Sequence, residues 1–273
     1  MAGTETKAGG LSGTQLKYLA AVFMVIDHVG MLFSPMSPFF PPDSLWFYLF
    51  RYVGRLAFPI FAFFVAEGCR KTHHYAAYLK RLFLFALLTQ VPLYLVMPED
   101  GRSVITTFFL AALAIGCFRR LADRGHKCLA FLAAGTCVLL SQVLHGDYGW
   151  IGALTVVLLY FAGEDRRRQL CTLAACLLFY YLAGGLWAYW GAPAIALLQT
   201  EGWAGFLVDM GERLPFFRQV YLPYSLLMGG FSCCSLIPLS RYNGQRGSGS
   251  RWFFYWFYPI HLVVLWVIQF LVT

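Results

Sequence analysis

The most constraining feature of the sequence is a succession of apolar runs, each long enough to cross a lipid bilayer. About 17–25 predominantly apolar residues form a helix that spans a hydrocarbon core of roughly 30 Å. Such runs follow one another with short connections between them. Hydrophobic residues make up 59% of the chain and charged residues only 12%, whereas a soluble domain has about 45–50% apolar residues. The sequence therefore predicts an all-α, polytopic integral membrane protein.

The apolar segments predict a bundle of about nine transmembrane helices, within a range of about eight to ten. Pro59 predicts a kink in the second segment. Apolar and charged residues are mixed over 191–219, which favours an interfacial or re-entrant piece there. Residues 1–13 predict a flexible cytoplasmic tail, and residues 14–273 a single transmembrane domain. The segments are residues 14–33, 45–69, 75–97, 104–118, 128–144, 148–162, 170–190, 220–239 and 252–272.

Lysines and arginines are concentrated in the N-terminal region and in alternate connections between the segments. Sixteen of the 21 basic residues lie in or next to these places. Because positively charged connections stay in the cytoplasm, this distribution predicts a cytoplasmic N-terminus. The orientation of the chain in the membrane then explains the net charge of +8, and no nucleic acid partner is predicted. The sixteen residues are Lys7, Lys17, Arg70, Lys71, Lys80, Arg81, Arg119, Arg120, Arg124, Lys127, Arg166, Arg167, Arg168, Arg241, Arg246 and Arg251.

Asp27 and His28 lie side by side in the first segment, where an ionisable residue costs roughly 2.5–3.5 kcal/mol or more at the membrane centre. A rise of about 1.5 Å per residue places His28 about 20 Å from the N-terminal surface. The same conversion places Arg51 and Arg55 about 10 and 16 Å below the opposite surface. The four side chains thus share a depth in the outer half of the membrane. We expect an arginine to pair with Asp27, which leaves His28 free or oriented by the neighbours of Asp27.

Two interpretations of this cluster are open on the residues alone. It is either an ion pair that fixes helix packing, with His28 a satisfied core histidine, or a functional site. A second polar track in the last segment, which includes Tyr258 and His261, favours the functional interpretation. Asp147 and Tyr148 add polar groups at the expected outer mouth. We therefore treat the cluster as a candidate site.

His28 has the chemistry of a general base, because an imidazole can take a proton from an amine or hydroxyl and return it to a leaving group. An arginine or tyrosine can stabilise a developing oxyanion. The lysines and arginines at the predicted cytoplasmic surface, called the basic inner rim here, suit the phosphates of a cytoplasmic coenzyme. The same residues also fit a transporter or flippase that uses the track for protons or an amphiphile. The chain contains no Gly-rich phosphate loop, G-x-S-x-G elbow, H-E-x-x-H or CxxC, so neither a soluble-type catalytic domain nor a metal site is predicted.

Several motifs resemble the TraX family. They follow the family's order and cover nearly the whole chain, apart from residues 186–219. The motifs are Leu16-Lys17 with Met24-Val25-Ile26-Asp27-His28, Gly54-Arg55-Leu56-Ala57-Phe58-Pro59-Ile60-Phe61-Ala62-Phe63, Tyr78-Leu79-Lys80-Arg81-Leu82, Asp147-Tyr148-Gly149-Trp150, Tyr242-Asn243-Gly244 and Phe257-Tyr258-Pro259-Ile260-His261-Leu262.

The resemblance implies a bacterial inner-membrane protein associated with conjugation, in a family whose named member acetylates the N-terminus of pilin. It also implies a relation to the transmembrane acyltransferases, including the acyltransferase-three group and the lysosomal heparan-glucosaminide acetyltransferase. Those enzymes pass an acyl group from cytoplasmic acyl-coenzyme A to an acceptor at the far face, using a histidine in an early span that His28 matches by position. The implied donor is acetyl-coenzyme A, and the acceptor is a pilin-like protein, a small amine or a cell-surface molecule.

The polar residues and the family resemblance together predict two sets of site residues. The catalytic set is His28 as the base, with Asp27 or Arg55 orienting it or stabilising charge. A non-enzymatic factor for surface-fibre assembly is the alternative that needs neither set. The residues predicted to bind the coenzyme are Arg81, Lys80, Arg51, Asn243, Tyr258 and His261.

Overall fold

The computed structural model describes residues 9–34, 41, 44–97 and 101–272. Within these ranges the chain folds into helices with short connections and two isolated β-bridges. The helices are α1 (Gly13–Phe33), α2 (Leu45–Gly54), α3 (Ala57–Lys71), α4 (Tyr75–Val96), α5 (Val104–Ala122), α6 (Lys127–Val143), α7 (Gly149–Phe161), α8 (Arg166–Leu186), α9 (Ala192–Thr200), α10 (Gly202–Phe216), α11 (Leu222–Cys233), α12 (Leu236–Ser240) and α13 (Arg251–Val272).

Seven helical stretches of the described chain are long and apolar enough to cross a membrane, and α6 and α7 are shorter apolar helices. All the predicted apolar segments are thus helical, which confirms a multi-pass helical membrane protein. The number of helices that cross the bilayer, about nine, stays a prediction. The seven stretches are Gly13–Phe33, Leu45–Lys71, Tyr75–Val96, Val104–Ala122, Arg166–Leu186, Gly202–Ser240 and Trp252–Val272.

The first helix begins at a capping box, in which two side chains satisfy backbone N–H groups at the helix start. Ser12 Oγ accepts from Gln15 N at 3.3 Å, and Gln15 Oε1 accepts from Ser12 N at 2.8 Å. Just before it, Leu11 N donates to Arg241 O at 2.8 Å, and Asn243 N donates to Leu11 O at 3.0 Å. The last residues of the predicted tail are therefore hydrogen-bonded to the α12–α13 connection, while residues 1–8 lie outside the described ranges.

The end of the bundle at which α1 begins is called the N-terminal face here. Lys71, the last residue of α3, donates through Nζ to Gly244 O at 3.3 Å, so the α12–α13 connection also lies at this face. At the opposite face, Ser103 N donates to His145 O at 3.1 Å. This bond joins the start of α5 to the α6–α7 connection.

The second predicted segment is interrupted between α2 and α3, just before Pro59. A proline cannot donate to the carbonyl four residues earlier, and its ring displaces that carbonyl. The carbonyl belongs to Arg55, and it accepts instead from Ser232 Oγ of α11 at 3.3 Å. The predicted kink is therefore present as a full interruption of the helix at Arg55 and Leu56.

The core is centred on α5, which packs against α3, α4, α6 and α7. Ala111, Ala112 and Ala114 of α5 are fully buried, and such small side chains let membrane helices approach closely. On the other side of the bundle, α1 packs against α2, α3 and α13. The polar residues of α1 therefore lie next to those of α2 and α13.

Residues 187–221 extend two helices into a hairpin. α8 passes through a π-helical turn, Trp187–Gly191, into α9, and α10 passes through another, Phe217–Tyr221, into α11. Gly202 turns the chain between α9 and α10 with a φ of 69°, in the left-handed region that glycine adopts without strain. The sequence predicted an interfacial or re-entrant piece here and missed the helical continuity. The position of residues 187–221 relative to the membrane surface stays a prediction.

Candidate functional site

The polar residues of α1 and α2 form one ion cluster. Arg51 Nη1 donates to Asp27 Oδ1 at 2.8 Å, and Arg55 Nη2 lies 3.3 and 3.5 Å from the two carboxylate oxygens. The side chains of Arg51, Arg55 and Asp27 are 22%, 14% and 18% exposed. The predicted pairing of an arginine with Asp27 is confirmed, and both arginines share its carboxylate.

Gly54 allows α1 and α2 to approach closely at this cluster. A methyl group added at Gly54 would collide with Cβ, Cγ and Oδ1 of Asp27. Glycine at a helix contact removes this obstacle and brings the two backbones together. Gly54 therefore lets the Asp27 carboxylate reach both arginines.

His28 has different partners from its neighbour Asp27. Its Nδ1 lies 2.7 Å from Met24 O, one turn earlier in α1, and 3.4 Å from Nε2 of His261 in α13. His261 places its own Nδ1 2.9 Å from Phe257 O. Asp27 was one of two residues predicted to orient His28. Across the described residues, the hydrogen-bond contacts that orient the ring come instead from α1 and α13.

The α6–α7 connection closes the cluster at the opposite face. Tyr148 Oη lies 3.4 Å from Arg55 Nη1, and its ring stacks on Phe58 with the centroids 3.8 Å apart. Tyr148 has a φ of 61°, which is uncommon for a residue other than glycine. Asp147 Oδ1 accepts from the Tyr148 backbone N–H at 2.9 Å. Burial raises the pKa of the Asp147 carboxyl, which favours its neutral form.

These groups line a cavity of about 140 Å³, called the histidine cavity here. It combines a candidate base with hydrogen-bond donors, acceptors and charges of both signs. A small polar molecule could therefore be held against His28. The polar residues that line the cavity are Asp27, His28, Arg51, Arg55, Arg102, Asp147, Tyr148 and Tyr258.

A larger cavity of about 400 Å³, called the basic cavity here, lies toward the N-terminal face. Its walls are mostly apolar, and it is lined by four cationic side chains. Lys17 Nζ lies over the Phe64 ring, 4.8 Å from its centroid. Such a combination of charge and apolar wall suits a ligand with both phosphate and apolar parts. The four cationic residues are Lys17, Lys71, Arg81 and Arg246.

Four side chains line both cavities and form a wall that the cavities share. They are Met24 of α1, Phe61 of α3, Val104 of α5 and Tyr258 of α13. Tyr258 is only 6% exposed. A ligand in the basic cavity is thus separated from His28 by a single layer of side chains.

Glu67 accepts hydrogen bonds that hold the α12–α13 connection against α3, beside the basic cavity. Tyr242 Oη lies 3.0 Å from both of its carboxylate oxygens, and Lys71 Nζ lies 2.8 Å from Oε1. Burial raises the pKa of Tyr242, which keeps the phenol as a hydrogen-bond donor. Glu67 therefore connects α3 to the segment that carries Arg246.

The structure brings most of the predicted site residues together. Asp27, Arg51, Arg55 and Tyr258 line the histidine cavity with His28. Arg81 lines the basic cavity instead, and Tyr258 belongs to both. The predicted catalytic set therefore shares one cavity, although Arg51, predicted to bind the coenzyme, also lies there.

Three residues predicted to bind the coenzyme line neither cavity. Lys80 is exposed, although the adjacent Arg81 lines the basic cavity. Asn243 holds a turn, where its amide donates to Gly10 O at 3.3 Å and its Oδ1 accepts from Gln245 N at 2.9 Å. His261 is buried against His28. Their sequence motifs thus mark structural neighbours of the cavities.

Three of the four cations in the basic cavity were not predicted as ligand contacts. Lys17, Lys71 and Arg246 are all near helix ends or in a connection, where basic residues ordinarily report orientation. All three belong to the same predicted membrane surface. The predicted basic inner rim thus already grouped them, although none of the three was singled out as a site residue.

The fold and site define a multi-pass helical membrane protein in which a buried histidine lies beside an arginine–carboxylate cluster and a basic cavity. The sequence profile described as TraX protein matches residues 12–269, and the chain belongs to this family. The chain is also 25% identical over 268 residues to the probable fimbrial assembly protein FimC, serogroup H1, of Dichelobacter nodosus. This similarity covers 93% of this chain and 94% of that protein. No solved structure matches the chain significantly.

Proposed function

We propose that the protein is a membrane acyltransferase that moves an acetyl group from acetyl-coenzyme A to an amine or hydroxyl acceptor. The observation that carries this proposal is the wall shared by the two cavities. A cavity lined by cations meets, across one layer of side chains, a cavity that contains a histidine and three arginines. This arrangement allows a donor and an acceptor to approach the same point from different sides.

The basic cavity has the properties that the donor requires. Lys17, Arg81 and Arg246 supply positive charge for the phosphates of the coenzyme, and arginine in particular binds phosphate through paired donors. Lys71 is already bonded to Glu67 and to Gly244 O but keeps a third N–H donor. The apolar walls suit the long arm that carries the acyl group toward Tyr258 and His28.

His28 is the general base in this proposal. It takes the proton from the acceptor while the acceptor nitrogen or oxygen forms a bond to the acetyl carbonyl carbon. The bond between that carbon and the thioester sulfur breaks, and His28 returns the proton to the leaving thiolate. Arg55 and Tyr148 supply donors for the charge that develops on the carbonyl oxygen. Asp27 holds Arg55 and Arg51 in place.

Turnover by the purified protein tests this proposal. We expect acetyl-coenzyme A to release its free thiol in the presence of an amine acceptor. His28→Gln should lower kcat by about 10²–10⁴-fold, the usual contribution of a general acid–base group. His126→Gln is a matched control because His126 is exposed in the α5–α6 connection. A His28→Gln variant with the kcat of the wild type would contradict the assignment.

In this proposal the protein lies in the bacterial inner membrane with its N-terminal face in the cytoplasm, where acetyl-coenzyme A is available. The concentration of basic residues at that face supports this orientation. The acceptor, a pilin-like protein, a small amine or a cell-surface molecule, approaches from the opposite face. The relation to the wider transmembrane acyltransferases that the family resemblance implies would give the same direction of transfer. Mass spectrometry of cells with and without the gene should identify the acceptor by its lost acyl mark.

A second candidate function is non-enzymatic assembly of surface fibres. It is favoured by the name of the Dichelobacter nodosus relative, which is called a probable fimbrial assembly protein. Under this alternative, cells that carry His28→Gln assemble fibres normally and show no change in acyl marks. A proton-coupled transporter or flippase would instead move its amphiphile without consuming acetyl-coenzyme A.

A further inference from the structure

We infer that His261 is a positioning residue, which together with the Met24 carbonyl fixes His28 with its proton on Nδ1 and leaves Nε2 as the base atom. The inference rests on the proposed function, because it assigns the atom of His28 that takes the proton. It also gives His261 a role other than binding the coenzyme.

The tautomer of His28 follows from the partner of its Nδ1. That nitrogen lies 2.7 Å from Met24 O, and a backbone carbonyl can only accept a hydrogen bond. Nδ1 must therefore carry the proton in the neutral ring. Nε2 then holds a lone pair, as a general base requires, and no residue of the described chain donates to it.

The tautomer of His261 follows in the same way. Its Nδ1 lies 2.9 Å from Phe257 O, so this nitrogen also carries a proton and Nε2 is the acceptor. That Nε2 lies 3.4 Å from Nδ1 of His28. The Nδ1–H of His28 thus faces two acceptors, one from its own helix and one from α13.

His261 is itself held firmly in this orientation. Its ring stacks on Phe257 with the centroids 5.1 Å apart and the planes 9° apart, and it meets His28 edge-on at 4.9 Å. It is buried and lines neither the histidine cavity nor the basic cavity. These contacts suit a residue that acts through His28 rather than one that touches a substrate.

The arrangement also explains why Asp27 is not the orienting group. Both of its arginine partners are at hydrogen-bond distance, so its carboxylate is already engaged. When Nε2 of His28 takes a proton, the ring becomes positively charged and Nδ1–H becomes a stronger donor. Met24 O and His261 Nε2 are the groups that receive this bond.

Two substitutions at His261 test the inference. His261→Leu removes the acceptor and should lower kcat by roughly 10–100-fold, as loss of an orienting partner does in other sites. His261→Gln retains an acceptor of similar reach and should recover activity to within about 3-fold of the wild type. Gln269→Leu is the control on α13, because Gln269 donates to Leu32 O at 3.0 Å, away from His28.

Nitrogen-15 NMR of histidine-labelled protein supplies a readout that does not depend on turnover. We expect His28 to carry its proton on Nδ1 in the wild type and in His261→Gln. In His261→Leu the bond to Met24 O remains but the second acceptor is lost, so the share of the Nδ1 tautomer should fall measurably below that of the wild type. A wild-type His28 protonated on Nε2, or an His261→Leu variant with unchanged tautomer and kcat, would overturn the inference. A wild type with the expected tautomer but no turnover would instead overturn the proposed acyltransferase function.

Discussion

Replacing Asp27 by asparagine keeps the side-chain volume and removes the negative charge that two arginines share. Asp27 Oδ1 lies 2.8 Å from Arg51 Nη1 and 3.3 Å from Arg55 Nη2. Removing one partner of a buried ion pair costs about 3–5 kcal/mol because the remaining charge is uncompensated. The two arginine side chains are 22% and 14% exposed, which admits some solvent screening. We therefore expect the lower end of this range, about 3 kcal/mol.

Thermal unfolding in detergent measures this cost. A loss of about 3 kcal/mol should lower Tm by about 6–12 °C at roughly 2–4 °C per kcal/mol. Adding Arg51→Gln should recover part of the loss, because one of the two uncompensated charges is then absent. Asp165→Asn is the matched control, since its partner Arg168 is highly exposed and asparagine still caps α8. Its expected effect is below about 0.5 kcal/mol.

The double-mutant cycle also defines the result that would refute this reasoning. If the Asp27→Asn protein has the Tm of the wild type, the cluster contributes no net charge compensation. If adding Arg51→Gln lowers the stability by its full single-variant cost, the arginine and the carboxylate are not coupled. Either result would show that the interaction between α1 and α2 depends on packing alone.

Three further comparisons, two between paired substitutions and one between a substitution and the wild type, test other parts of the structure. Gly54→Ala should lower the free energy of unfolding by about 1–3 kcal/mol through overpacking. Gly184→Ala should not lower it, because a methyl group at Gly184 meets open space. Thermal unfolding compares the two variants. Tyr242→Phe removes a bond to a carboxylate and should cost about 1.5–3 kcal/mol. Because burial raises the pKa of Tyr242, ionisation of the unfolded chain should lower stability above about pH 10, and less so in Tyr242→Phe. Arg246→Gln should raise KM for acetyl-coenzyme A by about 10–100-fold with little change in kcat. Lys80→Gln should leave KM unchanged, because Lys80 is exposed outside the basic cavity. Initial-rate kinetics measure both constants. An equal loss of stability in Gly54→Ala and Gly184→Ala would contradict the close approach at Gly54. The same loss of stability with pH in Tyr242→Phe and wild type would contradict the role of Tyr242, and the same KM in Arg246→Gln and Lys80→Gln would contradict the role of Arg246.

The helices and the ion cluster were predictable because they depend on local properties of the chain. An apolar run of membrane length forms a helix whatever surrounds it, and the rise per residue converts position into depth. Asp27 could therefore be placed level with Arg51 and Arg55 without knowing the fold. The two helices are consecutive along the chain, so their contact was also a reasonable expectation.

The partners of His28 could not be predicted in the same way. Its contact with His261 depends on the packing of the first long helix against the last, and no local pattern specifies that neighbour. The basic cavity has the same origin, because Lys17 and Arg246 come from distant parts of the chain. The interruption at Arg55 was anticipated only as a kink at Pro59, since the replacement donor, Ser232, lies on α11.

Transfer across a sealed vesicle tests the central claim most directly. Purified protein is reconstituted, its orientation is determined by labelling, and labelled acetyl-coenzyme A and an impermeant peptide amine are placed on different sides. We predict that acetylated peptide forms only when the donor is at the N-terminal face and the peptide at the opposite face. His28→Gln should reduce its formation by about 10²–10⁴-fold. Product formed with the peptide only on the donor's side, or formed equally by the variant, would contradict an acyl transfer through His28 between the two cavities.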